Sequence, residues 1–284
     1  MNVKVFSMSA PPLTTADVFS VPSCDDTSTH LCTGQLRYHH YCVDGFNDRG
    51  WGCGYRTVQT ILSWIDSTRP PSIVELQEVL QRSGALIADQ ECNRSTAWIG
   101  VSEAVVLLDV LHDAAVEVLP IASGTEIAQH VSRLCHHFDR GGGPVMVGGG
   151  ADVYSKTVIG IRWASRRGAE NAELLILDPH YEGRGALDGD VALLRAGGWA
   201  SWRPITSALS AGSFYNLALP RPLQAAHLAR SVAFGESAVS GGERDFETHN
   251  TNIEAGTISS TAAFAGADTT WDIEVVEEGE VYAS

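Results

Sequence analysis

Apolar residues in the first half of the chain recur at helical spacing. Val58, Ile61, Leu62 and Ile65 fall at i, i+3, i+4 and i+7, one face of a helix that starts at or beside Cys53 and runs to about residue 66. Arg69-Pro70-Pro71 stops it. Ser72 with Glu75 has the spacing of a capping box, and Ile73, Leu76, Val79 and Leu80 follow in helical register up to Gly84. A third helix is expected over 102–111. A fourth is expected over 126–138, where Ile127, Val131, Leu134 and Phe138 share a face. Then the period changes. Residues 145–147, 157–163, 173–177 and 213–219 are short runs, β-branched or apolar, bounded by Gly or polar loops, as strands are. Helices first and strands second is the order of an α+β protein with segregated layers. No internal repeat is present.

Composition bounds the partners. The chain has 284 residues, 44% of them hydrophobic, enough for one sizeable core or two small ones. A net charge of −15 and a pI near 5.0 argue against nucleic acid or an anionic membrane as the main partner. The charge is uneven: residues 231–284 carry eleven acids against one base, Arg244. That segment is rich in Ser, Thr, Gly and Ala and shows no sustained period. Residues 225–284 therefore read as a disordered acidic tail, residues 1–30 as an irregular N-terminal segment, and 31–224 as the folded domain. The first residues lack the apolar run of a secretory signal, and no stretch approaches the roughly 18 apolar residues that a membrane span requires. A soluble, cytoplasmic monomer is expected, with any placement at the endoplasmic reticulum surface coming through partners.

Six cysteines (24, 32, 42, 53, 92 and 135) form no C-x-x-C pair, and in a reducing compartment most are expected as free thiols. His39, His40 and Cys42 crowd together but lack the second ligand pair of a structural zinc site. Neither a metal nor another cofactor is expected.

Two local patterns carry candidate chemistry. Cys53 opens a helix, where unpaired backbone N–H groups and the macrodipole favour a thiolate. Glycines at 50, 52 and 54 strip side chains from its flanks, leaving room for an extended peptide against the sulfur. The local pattern serves equally for an ordinary buried cysteine. Asp178-Pro179-His180 directly follows the apolar strand 174–177. The two side chains, two residues apart, point to one side in extended geometry, and proline keeps that geometry stiff. A thiol nucleophile needs such a base and such an orienting group. For the tripeptide alone, an Asp-Pro turn bearing a surface histidine is the favoured description. His112, His130, His136, His137, His227 and His249 have no stiffly placed carboxylate partner and read as solvated.

Together these segments resemble the ubiquitin-fold-modifier-specific cysteine proteases. The blocks are 41–45 (Tyr-Cys-Val-Asp-Gly), 48–60 with Gly50-Trp51-Gly52-Cys53-Gly54-Tyr55-Arg56 at its centre, Ser63-Trp64, Trp98-Ile99-Gly100, 144–150, 177–181 and 214–220, all in the family's order. The resemblance implies a papain-like fold, with N-terminal helices packed on a mainly antiparallel sheet. It implies Cys53, Asp178 and His180 as the catalytic set and Tyr41 as the oxyanion donor, a role a phenol beside the Cys53 N–H can fill. It makes Trp98 a wall of the substrate groove, with core packing as the alternative, and puts Gly52 and Gly54 at the substrate. Gly148-Gly149-Gly150 follows a strand but lacks the Lys-Ser/Thr of a phosphate loop, and reads as a close-packed segment near the site. The implied reaction is cleavage after the C-terminal glycine of a ubiquitin-fold modifier, maturing its precursor or releasing it from conjugates. Such precursors and conjugates are then the expected partners. Alternatives are an autophagy-type protease acting on a lipid-conjugated modifier, which shares Gly-Trp-Gly-Cys and Asp-Pro-His, and an inactive relic that binds the modifier. Gly54 stands where the family often has alanine and Thr57 where it often has serine. The acidic tail has no counterpart, and the chain resembles the family's short form.

Overall fold

Helix α1 (Cys53–Ile65) is the element on which the rest is built, and all of its thirteen residues except Trp64 are buried. Its apolar face is the one the spacing predicts, but its polar face is enclosed too. The computed structural model describes residues 12–14, 27–85, 96–150, 155–164, 168–182 and 191–221. The 225–284 segment lies outside them.

Two further helices complete the layer around α1. Helix α2 (Ile73–Arg82) begins with the expected capping box, Ser72 N–H donating to Glu75 Oε2 at 2.6 Å and Glu75 N–H to Ser72 Oγ at 3.3 Å. Helix α3 (Val101–His112) starts at Gly100, whose N–H donates to Glu103 Oε2 at 2.8 Å. Val58, Ile61 and Leu62 of α1 pack with Leu76, Leu80, Leu107 and Leu108 in one apolar cluster.

The fourth helix departs from the single element expected over 126–138. Gly124–His130 winds as a 3₁₀-helix, and α4 proper spans Val131–Asp139. Tertiary ties set the tighter first turns. Ser123 Oγ donates to Ala211 O at 2.6 Å and accepts from Thr125 N–H, while Gly124 N–H reaches Ser213 O. Ile127 and Val131 are buried across the junction, so the apolar stripe is kept while the winding changes.

The strands are β1 (Pro12–Thr14), β2 (Thr27–Leu31), β3 (Gln35–Arg37), β4 (Val116–Ile121), β5 (Val145–Gly149), β6 (Ser155–Ala164), β7 (Glu173–Leu177), β8 (Ala200–Pro204) and β9 (Tyr215–Pro220). β1 pairs with β3, and the main sheet runs β4-β9-β5-β6-β7-β8, antiparallel throughout. β7 lies along one edge of the long β6, and β5 and β2 share the other edge end to end. Two of these strands fall at 12–14 and 27–31, where the sequence shows no period. β4 carries Pro120 and stands at the end of the sheet, where a missing N–H costs no ladder bond. Helices packed on an antiparallel sheet make the α+β class. α5 (Val191–Ala196) and α6 (Ile205–Ala208) are short connectors. Among the described residues no helix is long and apolar enough to cross a membrane.

Candidate active site

Cys53 is the first residue of α1 and is buried. The Asp178-Pro179-His180 segment leaves the end of β7, in the sheet layer. The fold brings the two together. His180 Nδ1 lies 2.6 Å from Asp178 Oδ1, which also accepts the His180 backbone N–H at 3.1 Å. With Nδ1 held there, Nε2 is the buried nitrogen left to face the thiol, and the nearby Cys53 helps hold the proton on the ring. Asp178 is pinned in turn: its N–H donates to Trp199 O at 2.8 Å, and Tyr38 Oη donates to its carbonyl.

Tyr41 arrives from the loop between β3 and α1. Its N–H donates to Pro179 O at 2.9 Å, and its ring meets His180 edge-on with centroids 5.1 Å apart. Its hydroxyl lies near enough to Cys53 and to the Gly50 backbone for both to act on the phenol's proton. All four residues that the family resemblance implies thus stand around one sulfur.

The electrostatics suit an ion pair. Burial pushes the Cys53 thiol up, but hydrogen bonds from His180, the Ser155 backbone N–H and Tyr41, with the imidazolium charge, bring it below an ordinary thiol. Burial lowers His180, and the bonds to Asp178 and Cys53 reverse that and raise it to about 9. Burial raises Asp178, yet the His180 contacts and the Lys156 charge leave it below the usual carboxylate range. Burial and the adjacent Cys53 raise the Tyr41 phenol, so it stays protonated and able to donate.

One cluster escaped the sequence reading. Arg56 is fully enclosed, and its guanidinium spans Asp48 (Nε–Oδ2 and Nη2–Oδ1, both 2.9 Å), Asp44 (Nη2–Oδ1 2.8 Å, Nη1–Oδ2 2.9 Å) and Gln59 (3.0 Å). Asp48 is equally buried; its Oδ1 accepts the Cys42 N–H at 2.8 Å and its carbonyl the Gly52 N–H at 2.8 Å. Asp48 therefore ties the residue after Tyr41, through its carboxylate, to the residue before Cys53, through its backbone carbonyl. The signal was the acid–base spacing of Asp44, Asp48 and Arg56, which reads as solvated surface until α1 is known to be enclosed.

A cleft of about 270 Å³ opens at the sulfur, lined by Trp98, Gly100, Gly148, Gly149, Phe214 and Asn216 among others. Trp98 is half exposed, and its Nε1 donates to Gly50 O at 3.1 Å, which holds the indole over the Gly50–Cys53 turn. Gly52 and Gly54 meet the protein's own atoms. A Cβ at Gly52 would lie 2.3 Å from Asp48 Oδ2, and one at Gly54 would lie 2.5 Å from Ile99 O. A larger groove, about 970 Å³, lies by Glu117, Arg133, His136, His137 and Arg140, with no thiol among the described residues of its walls.

One histidine differs from its sequence reading. His137 is half-buried with Nε2 2.8 Å from Gly143 O, not solvated. His39 and His40 are buried separately: His40 Nδ1 lies 2.9 Å from Tyr41 O, whereas both ring nitrogens of His39 lack a hydrogen-bond partner. Cys42 turns its sulfur to Asn47, so the three do not converge.

Comparison with known proteins matches this geometry. The profile of Peptidase family C78 covers residues 27–218. Ufm1-specific protease 1 of Mus musculus is 39% identical over 205 residues, covering 72% of this chain and 91% of that protein. Ufm1-specific protease 2 of Danio rerio is 34% identical over 207 residues, but the match covers only 48% of that longer protein. The crystal structure of UfSP from C. elegans superposes with a TM-score of 0.58 at 32% identity, covering 69% of this chain and 35% of that one. With a thiol, an imidazole and a carboxylate assembled inside the matched segment, this chain is a cysteine protease belonging to peptidase family C78.

Proposed function

We propose that the chain cleaves after the C-terminal glycine of the ubiquitin-fold modifier Ufm1, maturing its precursor and releasing it from conjugated proteins. The observation that carries this reading is the convergence of Cys53, His180, Asp178 and the Tyr41 hydroxyl at a cleft walled by glycines. The names of the relatives supply the modifier.

The Cys53 thiolate attacks the glycine carbonyl carbon, and a C–S bond forms as the carbonyl becomes an oxyanion. Tyr41 Oη and the Cys53 backbone N–H stand where they can donate to that oxygen. His180 passes its Nε2 proton to the departing amine, the C–N bond breaks, and a thioester remains. His180, now neutral, takes a proton from water. The hydroxide displaces the thiolate and frees the glycine carboxylate. Asp178 holds the ring in the Nδ1–H tautomer throughout. Glycines at 148 and 149, with Trp98 and Phe214 beside them, favour a tail with no side chain at the scissile residue.

The test is turnover of a Ufm1 precursor, with an autophagy-modifier precursor as the competing substrate. Cleavage of the first and not the second is expected, and Cys53→Ala abolishes it. Retained turnover in that variant would overturn the nucleophile assignment, and preference for the second precursor would overturn the substrate.

A further inference from the structure

One donor to the nucleophile comes from neither the α1 terminus nor the Tyr41 loop. Ser155 is the first residue of β6 and lines the cleft with Cys53, and its backbone N–H is near enough to the thiol to favour the thiolate. Across the sheet it pairs with Gly148, another residue of the cleft wall. Its side chain is anchored elsewhere. Ser155 Oγ donates to Thr57 Oγ1 at 3.0 Å, and both residues are buried. Thr57 stands four residues after Cys53, one turn along α1.

We infer that Ser155 and Thr57 are positioning residues for Cys53: their hydroxyl–hydroxyl bond fixes the start of β6 against α1 so that the Ser155 N–H stays on the sulfur. This rests on the reading of Cys53 as the nucleophile. A backbone donor has no rotamer of its own, so its aim is only as good as the placement of its strand. Hydrogen bonds weaken steeply once geometry departs from the optimum, and a buried hydroxyl pair has no water to turn to instead. The donor acts when the sulfur carries charge, as the attacking thiolate and again as the leaving thiolate when the thioester is hydrolysed. Within the thioester it has nothing to stabilise. The pair therefore tunes how much thiolate exists at neutral pH and how readily sulfur leaves.

The experiment is the pH profile of Cys53 alkylation by iodoacetamide in the full chain, with the rate in Cys53→Ala subtracted to remove other thiols. Thr57→Val and Ser155→Ala each break the hydroxyl bond and keep the volume close. Both are expected to move the midpoint up by about half to one pH unit, a three- to tenfold slower reaction on the acid side. The plateau at high pH stays unchanged, because the bare thiolate is equally exposed in each variant. Thr57→Ser restores the bond and the wild-type midpoint. A wild-type midpoint in folded Thr57→Val or Ser155→Ala, or a fall in thermal stability or plateau alone, would overturn the inference. If Thr57→Val does not fold, Ser155→Ala decides by itself. Alkylation needs no protein substrate, so this outcome is separate from failure of the proposed function, which would appear as precursor cleavage by Cys53→Ala.

Discussion

Arg56→Met is the substitution whose consequence the structure bounds best. The guanidinium makes five side-chain bonds to Asp44, Asp48 and Gln59 with no exposure to solvent. Methionine fills much of the space and satisfies none of it. Asp48 then stands buried and charged, with the Cys42 N–H still on its carboxylate. Removing one partner from a buried ion pair costs about 3–5 kcal/mol. Domains of this size have a total stability of about 5–15 kcal/mol, and each kcal/mol is about 2–4 °C in Tm. Thermal unfolding of Arg56→Met is therefore expected roughly 6–20 °C below wild type. Arg56→Lys falls between, because one ammonium cannot span two carboxylates in the plane that a guanidinium fork does. In a double-mutant cycle, Asp48→Asn with Arg56→Met costs less than the sum of the singles, since removing the second charge relieves the first loss. Activity falls at temperatures where the variant is still folded, because Tyr41 and Cys53 hang on opposite ends of the Asp48 tie. A Tm within about 2 °C of wild type would refute this account, since it corresponds to less than about 1 kcal/mol.

Four other outcomes follow from the same geometry. The pH profile of kcat/KM is a bell: below the lowered midpoint of Cys53 the thiolate is lost, and above about 9 His180 gives up its proton. Stability obeys the matching signs, measured as Tm across pH. The raised His180 contributes fully below its ordinary value and loses that as pH rises through about 9, while the lowered Asp178 contributes above the ordinary carboxylate value and loses that as pH falls through its own; a His180→Ala variant that kept the same alkaline loss of Tm would contradict this. Gly52→Ala drives a methyl into the Asp48 side chain, which Arg56 and Cys42 hold in place, and is expected to cost about 1–3 kcal/mol in urea unfolding together with most of the turnover. His39→Leu stabilises the protein, because both ring nitrogens are buried without hydrogen bonds and burial pushes the imidazole down to about 3. The wild type alone must carry a histidine that resists protonation, so the gain in Tm widens as pH falls from about 6.5 toward 3; equal Tm values at neutral and acidic pH would count against it.

The elements legible in the sequence are those whose signal is local. The α1 face, the Ser72–Glu75 box and the strands at 145–147 and 173–177 announce themselves within a dozen residues. β2, β4 and β8 are held by partners far along the chain, and β4 hides its alternation behind Pro120. The junction at His130 between 3₁₀ and α winding depends on Ser123 and Gly124 contacts with residues 211 and 213, so no window around it could show the change. At the site, Cys53 and the Asp178–His180 pair carried local signals, each with an ordinary alternative. Only the packing of α1 against β6 brings their side chains to one another. Asp48 and Arg56 lay inside the quoted blocks and still passed unnoticed, because charge four to eight residues from charge is the mark of a solvated helix face wherever the helix is not enclosed.

That enclosure explains why a helix so central is so polar on one side. Thr57, Thr60 and Ser63 form a stripe of hydroxyls at three-residue intervals along α1. Thr57 meets the main sheet through the Ser155 hydroxyl, while Thr60 accepts the His39 N–H at 3.0 Å and Ser63 the Arg37 N–H at 2.7 Å, from the end of β3 and the residues after it. Leucine or valine at these positions would bury more apolar area and favour the helix at least as well in the leucine case. Apolar contact is non-directional, however, and would leave α1 free to slide or turn by fractions of an ångström against the strands. Hydrogen bonds fix both its height and its rotation. Cys53 rides on the helix and His180 follows a strand of the sheet, so the distance between sulfur and imidazole is a distance between layers. The Thr57–Ser155 bond joins those two layers directly, Thr60 and Ser63 hold α1 against the β3 segment, and the apolar cluster on the helix's other face presses it onto both.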